Sequence, residues 1–173
     1  RGTRQVRYGL AVFRADSDRP GELDRPDYDR LTADRHPRLL MDDEAFGSLM
    51  EQVRAGNNQV LNRLHATNLR NADIYGLAAA PLAYQLDAAE KRILHISSAA
   101  LLRIFSCAYA YRATGDRKYL DHAENDINTV CNFPDWNGHR HYLDVGEMAA
   151  AVALGYDWLY ADLKPETRAN AER

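Results

Sequence analysis

The chain has 173 residues, 46% of them hydrophobic and 27% charged, with a formal net charge of -3 and a pI of 6.1, proportions that fit one globular domain or part of one. So weak a negative charge gives no general attraction for polyanions: nucleic acid is not an expected partner, and an acidic substrate would have to be held by a local group of Arg and His. No apolar run reaches the roughly 18 residues needed to span a membrane, and the sequence starts at Arg1 without an apolar leader segment.

Residues 1–35, rich in Arg, Asp, Pro and Gly, show no helical period and read as a loosely ordered lead-in, with RYGLAVF as a candidate short strand. Proline restricts the residue before it, so His36-Pro37 is expected to be extended, followed by a buried anchor at Leu39, Leu40 and Met41. Asp42 or Asp43 caps a helix that runs to about Arg54 on a stripe of Phe46, Leu49, Met50 and Val53, and Gly56 ends it. A second helix starts near Asn57 with Val60, Leu61, Leu64 and Leu69 on its apolar face and His65 beside them. Residues 72–87 lack a firm period and read as a loop with Tyr75 and Tyr84 partly packed. A long helix is expected from Ala88 to Thr114, with Ile93, Ile96, Ala100, Leu101, Ile104, Ala108 and Tyr111 inward.

Gly115 then supplies a C-terminal stop and Asp116 the next cap, so Thr114-Gly115-Asp116 reads as a tight turn into a return helix carrying Leu120, Ala123, Ile127 and Val130. The third partner is a helix over Leu143–Leu163, its face formed by Leu143, Val145, Met148, Val152, Tyr156 and Leu159 with small residues around the rest. Lys164-Pro165-Glu166 begins a further helix that is still under way at Arg173. The expected fold is all-α, built of antiparallel helical hairpins. Cys107 and Cys131, offset by roughly 12 Å along paired helices, lie beyond disulfide reach and are expected as free thiols, mostly buried.

Chemistry concentrates where a polar loop feeds the Leu143 helix. Trp136, Asn137, His139, Arg140, His141 and Tyr142 can stack on a sugar or meet a carboxylate or sulfate near a helix N-terminus. The bland alternative keeps Trp136 as a plug, Asn137 as a turn cap and His141 as a helix-terminal residue. Asp144 and Glu147, three apart on the first turn, are either a paired acid and base or complements to the helix dipole. Tyr156, Asp157, Trp158 and Tyr160 read as core and inter-helix hydrogen bonding. No metal-ligand spacing is present, since His139 and His141 alone fall short of the three or four ligands a zinc site takes, and no cofactor is expected.

The segments FPDWN and HYLDVGEMAAAVALGYDWLYADLKPETR, with HPRLLMDDEAF at 36–46 and AYAYRATGDRKYLDHAENDINTVCNFPDWN at 108–137, resemble the N-terminal helical region of heparinase II/III-like polysaccharide lyases, which typically reads NFPDWN, H[FY]LDV[GA]EM and A[IL]GYDWLY. The resemblance covers roughly residues 36–170. It implies that 36–173 is the N-terminal part of an (α/α) toroid, incomplete here, whose remaining helices and β-domain follow. It also implies an acidic, uronate-containing polysaccharide as substrate, heparin or heparan sulfate first and alginate second, cleaved by β-elimination in the periplasm or outside the cell. Its catalytic residues, an Asn or His/Glu pair, a Tyr and a His, are expected beyond Arg173. Two other readings stay open: a glycoside hydrolase on the same toroid, which would use Asp144 and Glu147, and a non-catalytic helical-repeat binding module.

Overall fold

A computed structural model describes residues 35–173, and every described element is helical: α1 (Asp43–Ala55), α2 (Gln59–Asn71) running on into a π-helical turn (Ala72–Leu77), α3 (Leu94–Thr114), α4 (Arg117–Cys131), α5 (Tyr142–Leu159) and the short α6 (Pro165–Ala171). The expected lead-in and the RYGLAVF strand lie outside the described residues, apart from an exposed Arg35.

Local chemistry sets most boundaries. The Asp42 carboxylate accepts from the Ala45 N–H at 2.9 Å and opens α1, which ends at Gly56 in the left-handed conformation (φ 73°). Asn58 caps α2 in the same way through the Leu61 N–H. Gly115, also left-handed, donates to Tyr111 O, and Asp116 receives the Lys118 N–H, so α3 and α4 form the expected hairpin.

Several expectations are corrected, four of them before α4. Leu40 is 70% exposed: with φ 65° it sits at the middle of a tight turn closed by Met41 N–H to Leu39 O, which turns it out of the anchor, while Leu39 and Met41 remain half-buried. The chain bends at His36, and the His36-Pro37 peptide is cis where an extended segment was expected. Residues 72–77 are a π-helical turn and not loop, because Gly76 lies against α3 so closely that a Cβ there would be 2.5 Å from Cys107 Sγ. The long helix starts six residues late, at Leu94: the Asp87 carboxylate takes the N–H groups of Glu90 and Arg92, the Asp87 N–H returns to Arg92 O, and Lys91 adopts φ 56°, all of which close a loop over 87–92.

The core lies where α3, α4 and α5 converge. Ile104 and Ala108 from α3, Leu120, Ala123, Ile127 and Val130 from α4, and Met148, Ala151, Trp158 and Leu159 from α5 are all buried. Helix α5 ends at Leu159, four residues before the expected Leu163, whose N–H folds back to Leu159 O. Its orientation also differs from the expected stripe. Leu143 is 55% exposed while Asp144 is fully buried, because a helix apolar on nearly every side leaves its inward face to be chosen by its committed polar groups, Asp144 at this end and Asp157 at the other. Glu124 fixes α6 by accepting from the Lys164 N–H and Nζ, and Asn128 bridges to Thr167 and Asn170. Both cysteines are free, Cys107 buried and Cys131 half-buried; burial pushes the Cys107 thiol up to about 12.

Gly155 sits at the closest approach of the three helices, where an added Cβ would collide with Ile104 Cγ2 and lie 2.9 Å from Ile127 Cδ1. Replacing Gly155 with Ala is expected to overpack this crossing and cost about 1–3 kcal/mol, read as a lower urea midpoint; an unchanged midpoint would contradict this packing. Native Cys107 is expected to resist alkylation until the protein unfolds.

Candidate functional site

The sequence singled out the loop before α5, and the structure divides its residues into two groups. Asn137 is buried and left-handed (φ 61°), a conformation Asn tolerates. Its carbonyl accepts from the N–H groups of Arg140 and His141, and its Nδ2 donates to Lys91 O at 3.0 Å and, at 3.4 Å, to Asp144 Oδ2. Trp136 is half-buried, packs against the core and donates Nε1–H to Val130 O at 2.9 Å. These two are engaged in building the loop. His139 and Arg140 are exposed, Tyr142 is 84% exposed, and among the described residues Arg140 makes no ion pair. His141, half-buried, donates Nε2–H to Glu90 O at 3.2 Å.

Asp144 is the centre of this end of the bundle. Arg92 Nε and Nη2 donate to Oδ1 at 3.1 and 2.7 Å, and the Ile93 N–H donates to Oδ2 at 2.8 Å. The carboxylate therefore satisfies an orphan amide at the start of α3 and pins it to the first turn of α5. Burial works to raise its pKa, but the hydrogen bonds from Arg92, Ile93 and Asn137 outweigh it and hold Asp144 below its ordinary value of 3.8. Glu147, one turn on and half-buried, receives the Ser98 hydroxyl of α3. In the structure Asp144 is engaged by Arg92, Ile93 and Asn137, and Glu147 by Ser98, so both carboxylates join α5 to the start of α3.

These contacts bring to the loop a segment the sequence reading passed over. A cleft of about 580 Å3 opens at the start of α3, lined by Gln85, Asp87 and Glu90 from the turn and by Arg92, Leu94, His95 and Ser98. Arg92, in the turn, and His95 and Ser98, on the first turns of α3, recur every three residues as a polar run beside the apolar stripe; that run was the available signal. Among the described residues no group of three or more His, Cys, Asp and Glu is placed to hold a metal, and no helix is long and apolar enough to cross a membrane.

No family model matches the sequence, and no curated protein matches it.

Two further buried carboxylates act as Asp144 does. Asp157 receives His36 Nδ1–H at 2.6 Å and the N–H groups of Arg38 and Leu39, while Trp158 Nε1–H donates to Leu39 O. Asp126 receives Nε and Nη2 of Arg103, which also donates to His122 Nε2 and Ala80 O. The inter-helix hydrogen bonding expected at Asp157 and Trp158 is present, and both lie far along α5 from the loop.

The Asp144 contacts make a pH prediction with a definite sign. Because its folded pKa is depressed, its stabilisation is complete above the unfolded value near 3.8 and is lost as pH falls through the lower folded value. Asp144→Asn is expected to lower stability at pH 7 by on the order of 3 kcal/mol and to flatten the loss of stability on acidification, followed by urea unfolding at stepped pH. An acid slope identical to that of the parent protein would remove Asp144 from this role.

Proposed function

We propose that residues 36–173 form the N-terminal helical part of an (α/α) toroid in a polysaccharide lyase acting on uronate-containing acidic polysaccharide, heparin- or heparan sulfate-like chains first and alginate second, in the periplasm or outside the cell. The observation that carries this reading is the exposed group at the mouth of α5. Arg140, without an acidic partner among the described residues, stands next to His139 and close to the nearly free ring of Tyr142. A guanidinium meets a carboxylate or sulfate in bidentate fashion, and an exposed aromatic ring stacks on a sugar face. The all-helical hairpin architecture and the motif resemblance over residues 36–170 support the same reading.

The reaction removes the proton at C5, alpha to the carboxylate, and expels the oxygen at C4. The C5–H and C4–O bonds break, a C4–C5 double bond forms, and the departing oxygen takes a proton. The acid and base are proposed to lie on parts of the protein beyond Arg173, so this segment's contribution is to hold the polymer. Protein carrying the segment in its full reading frame is expected to release unsaturated uronate from heparan sulfate, hyaluronan or alginate, followed as growth of ultraviolet absorbance. No growth on any of them overturns the lyase reading. Arg140→Ala is expected to raise KM about tenfold, the equivalent of one charge-assisted contact of roughly 1.4 kcal/mol, with kcat nearly unchanged; an unaltered KM would remove Arg140 from substrate binding.

A further inference from the structure

Tertiary contacts bring a second exposed cation to the Arg140 rim. It is Lys91, far from Arg140 in sequence and held beside it by Asn137. The Asn137 Nδ2 donates to Lys91 O at 3.0 Å, and the Asn137 carbonyl accepts from the Arg140 N–H at 3.1 Å. One residue away on both segments, His141 Nε2–H donates to Glu90 O. Lys91 is exposed and, like Arg140, makes no ion pair among the described residues. The acids of the neighbourhood are committed elsewhere. Asp144 and Glu90 take Arg92, Asp87 takes the Glu90 and Arg92 N–H groups, and Asp135 takes the Tyr84 hydroxyl and the Asn137 N–H.

The backbone at this position favours a different residue. Lys91 stands at φ 56°, in the left-handed region where Gly is at ease and Asn is tolerated. The bond that fixes it to Asn137 uses its carbonyl and would form with any side chain. A residue kept in an unfavourable conformation, with an exposed charge the fold does not engage, points to function.

We propose that Lys91 is a second anion-binding residue of the rim, and that Lys91 and Arg140 together receive a doubly charged stretch of polymer. The uronate carboxylate lies at Arg140 and a neighbouring sulfate at Lys91. The planar guanidinium matches a carboxylate in bidentate fashion, whereas an ammonium on a flexible four-carbon stem is a point charge that meets a tetrahedral sulfate from any side. The assignment rests on the lyase reading and deepens it, since it names sulfated uronate polymers as the class this rim selects. A polymer of uronate and uncharged N-acetylhexosamine engages Arg140 and leaves Lys91 idle.

The test compares a heparin tetrasaccharide with the same tetrasaccharide desulfated and N-acetylated, titrated into the 173-residue chain at low ionic strength and followed by amide chemical shifts. The sulfated form is expected to bind about fivefold more tightly, the ratio that one charge contact near 4 Å gives in water. Lys91→Asn, which suits the left-handed backbone, is expected to abolish that preference while leaving the desulfated affinity and the urea midpoint as they are. Lys91→Arg is expected to keep it. Arg63→Gln, an equal loss of exposed charge on α2, is expected to leave the preference in place. Equal affinity of the parent chain for the two sugars, a preference that survives Lys91→Asn, an equal loss in Arg63→Gln, or no binding of either sugar overturns the proposal. The two readings fail separately. Elimination by the full reading frame with a preference indifferent to Lys91 removes only this assignment, and a Lys91-dependent preference without elimination removes only the lyase.

Discussion

The carboxylate of Asp144 is the point on which this end of the molecule depends. It joins three pieces of chain that no other contact unites so closely: the first turn of α5, the first amide of α3 and the side chain of Arg92 from the closed turn before it. Asn137 adds the polar loop to the same centre. Withdrawing the acid would strand a guanidinium and a buried amide together, which is why its cost exceeds that of any single hydrogen bond. The exposed rim and the cleft are both consequences, since each is held in place by residues within one or two positions of this centre.

Buried ion pairs are poor sources of net stability, because desolvation cancels much of the attraction. What they provide here is register. Asp126 with Arg103 fixes α3 against α4 and the segment that follows the π-helical turn at Ala80, Asp157 with His36 fixes the entering chain against the far end of α5, and Asp144 fixes the near end. Between them the packing is made by small and branched apolar residues that would tolerate several sliding arrangements. The polar clamps select one.

How much of this was legible follows from how local each determinant is. The caps at Asp42, Gly56, Gly115 and Asp116 act within four residues, so the helix ends they set were readable. The start of α3 was not: Asp87 and Glu90 form the hydrogen bond expected of a capping box, but the turn closes at Lys91 and the helix waits for a carboxylate supplied from more than fifty residues away. The facing of α5 failed for the same reason, since Leu143 and Asp144 exchange roles only once Arg92 is in position. In the loop, residue type identified the right neighbourhood, yet it could not separate Asn137 and Trp136, which build it, from His139, Arg140 and Tyr142, which face outward. The residues of the cleft are contiguous in sequence, from Gln85 to Ser98, but its hollow follows from the closed turn over 87–92, and that turn was read as helix.

Helix α2 stands apart from this clamped system. None of its thirteen residues is buried, and Val60 and Leu64 project outward at 70% and 56% exposure. Leu69, packed against the core, and the His65 ring, 2.8 Å from the Tyr109 hydroxyl, tie it to the rest, and it runs on directly into the π-helical turn whose Ala72 and Gly76 are buried. An element with so few buried apolar contacts is expected to open locally at a lower free energy than α3, α4 and α5, so the strength of the fold is concentrated in the three-helix core and thins toward α2.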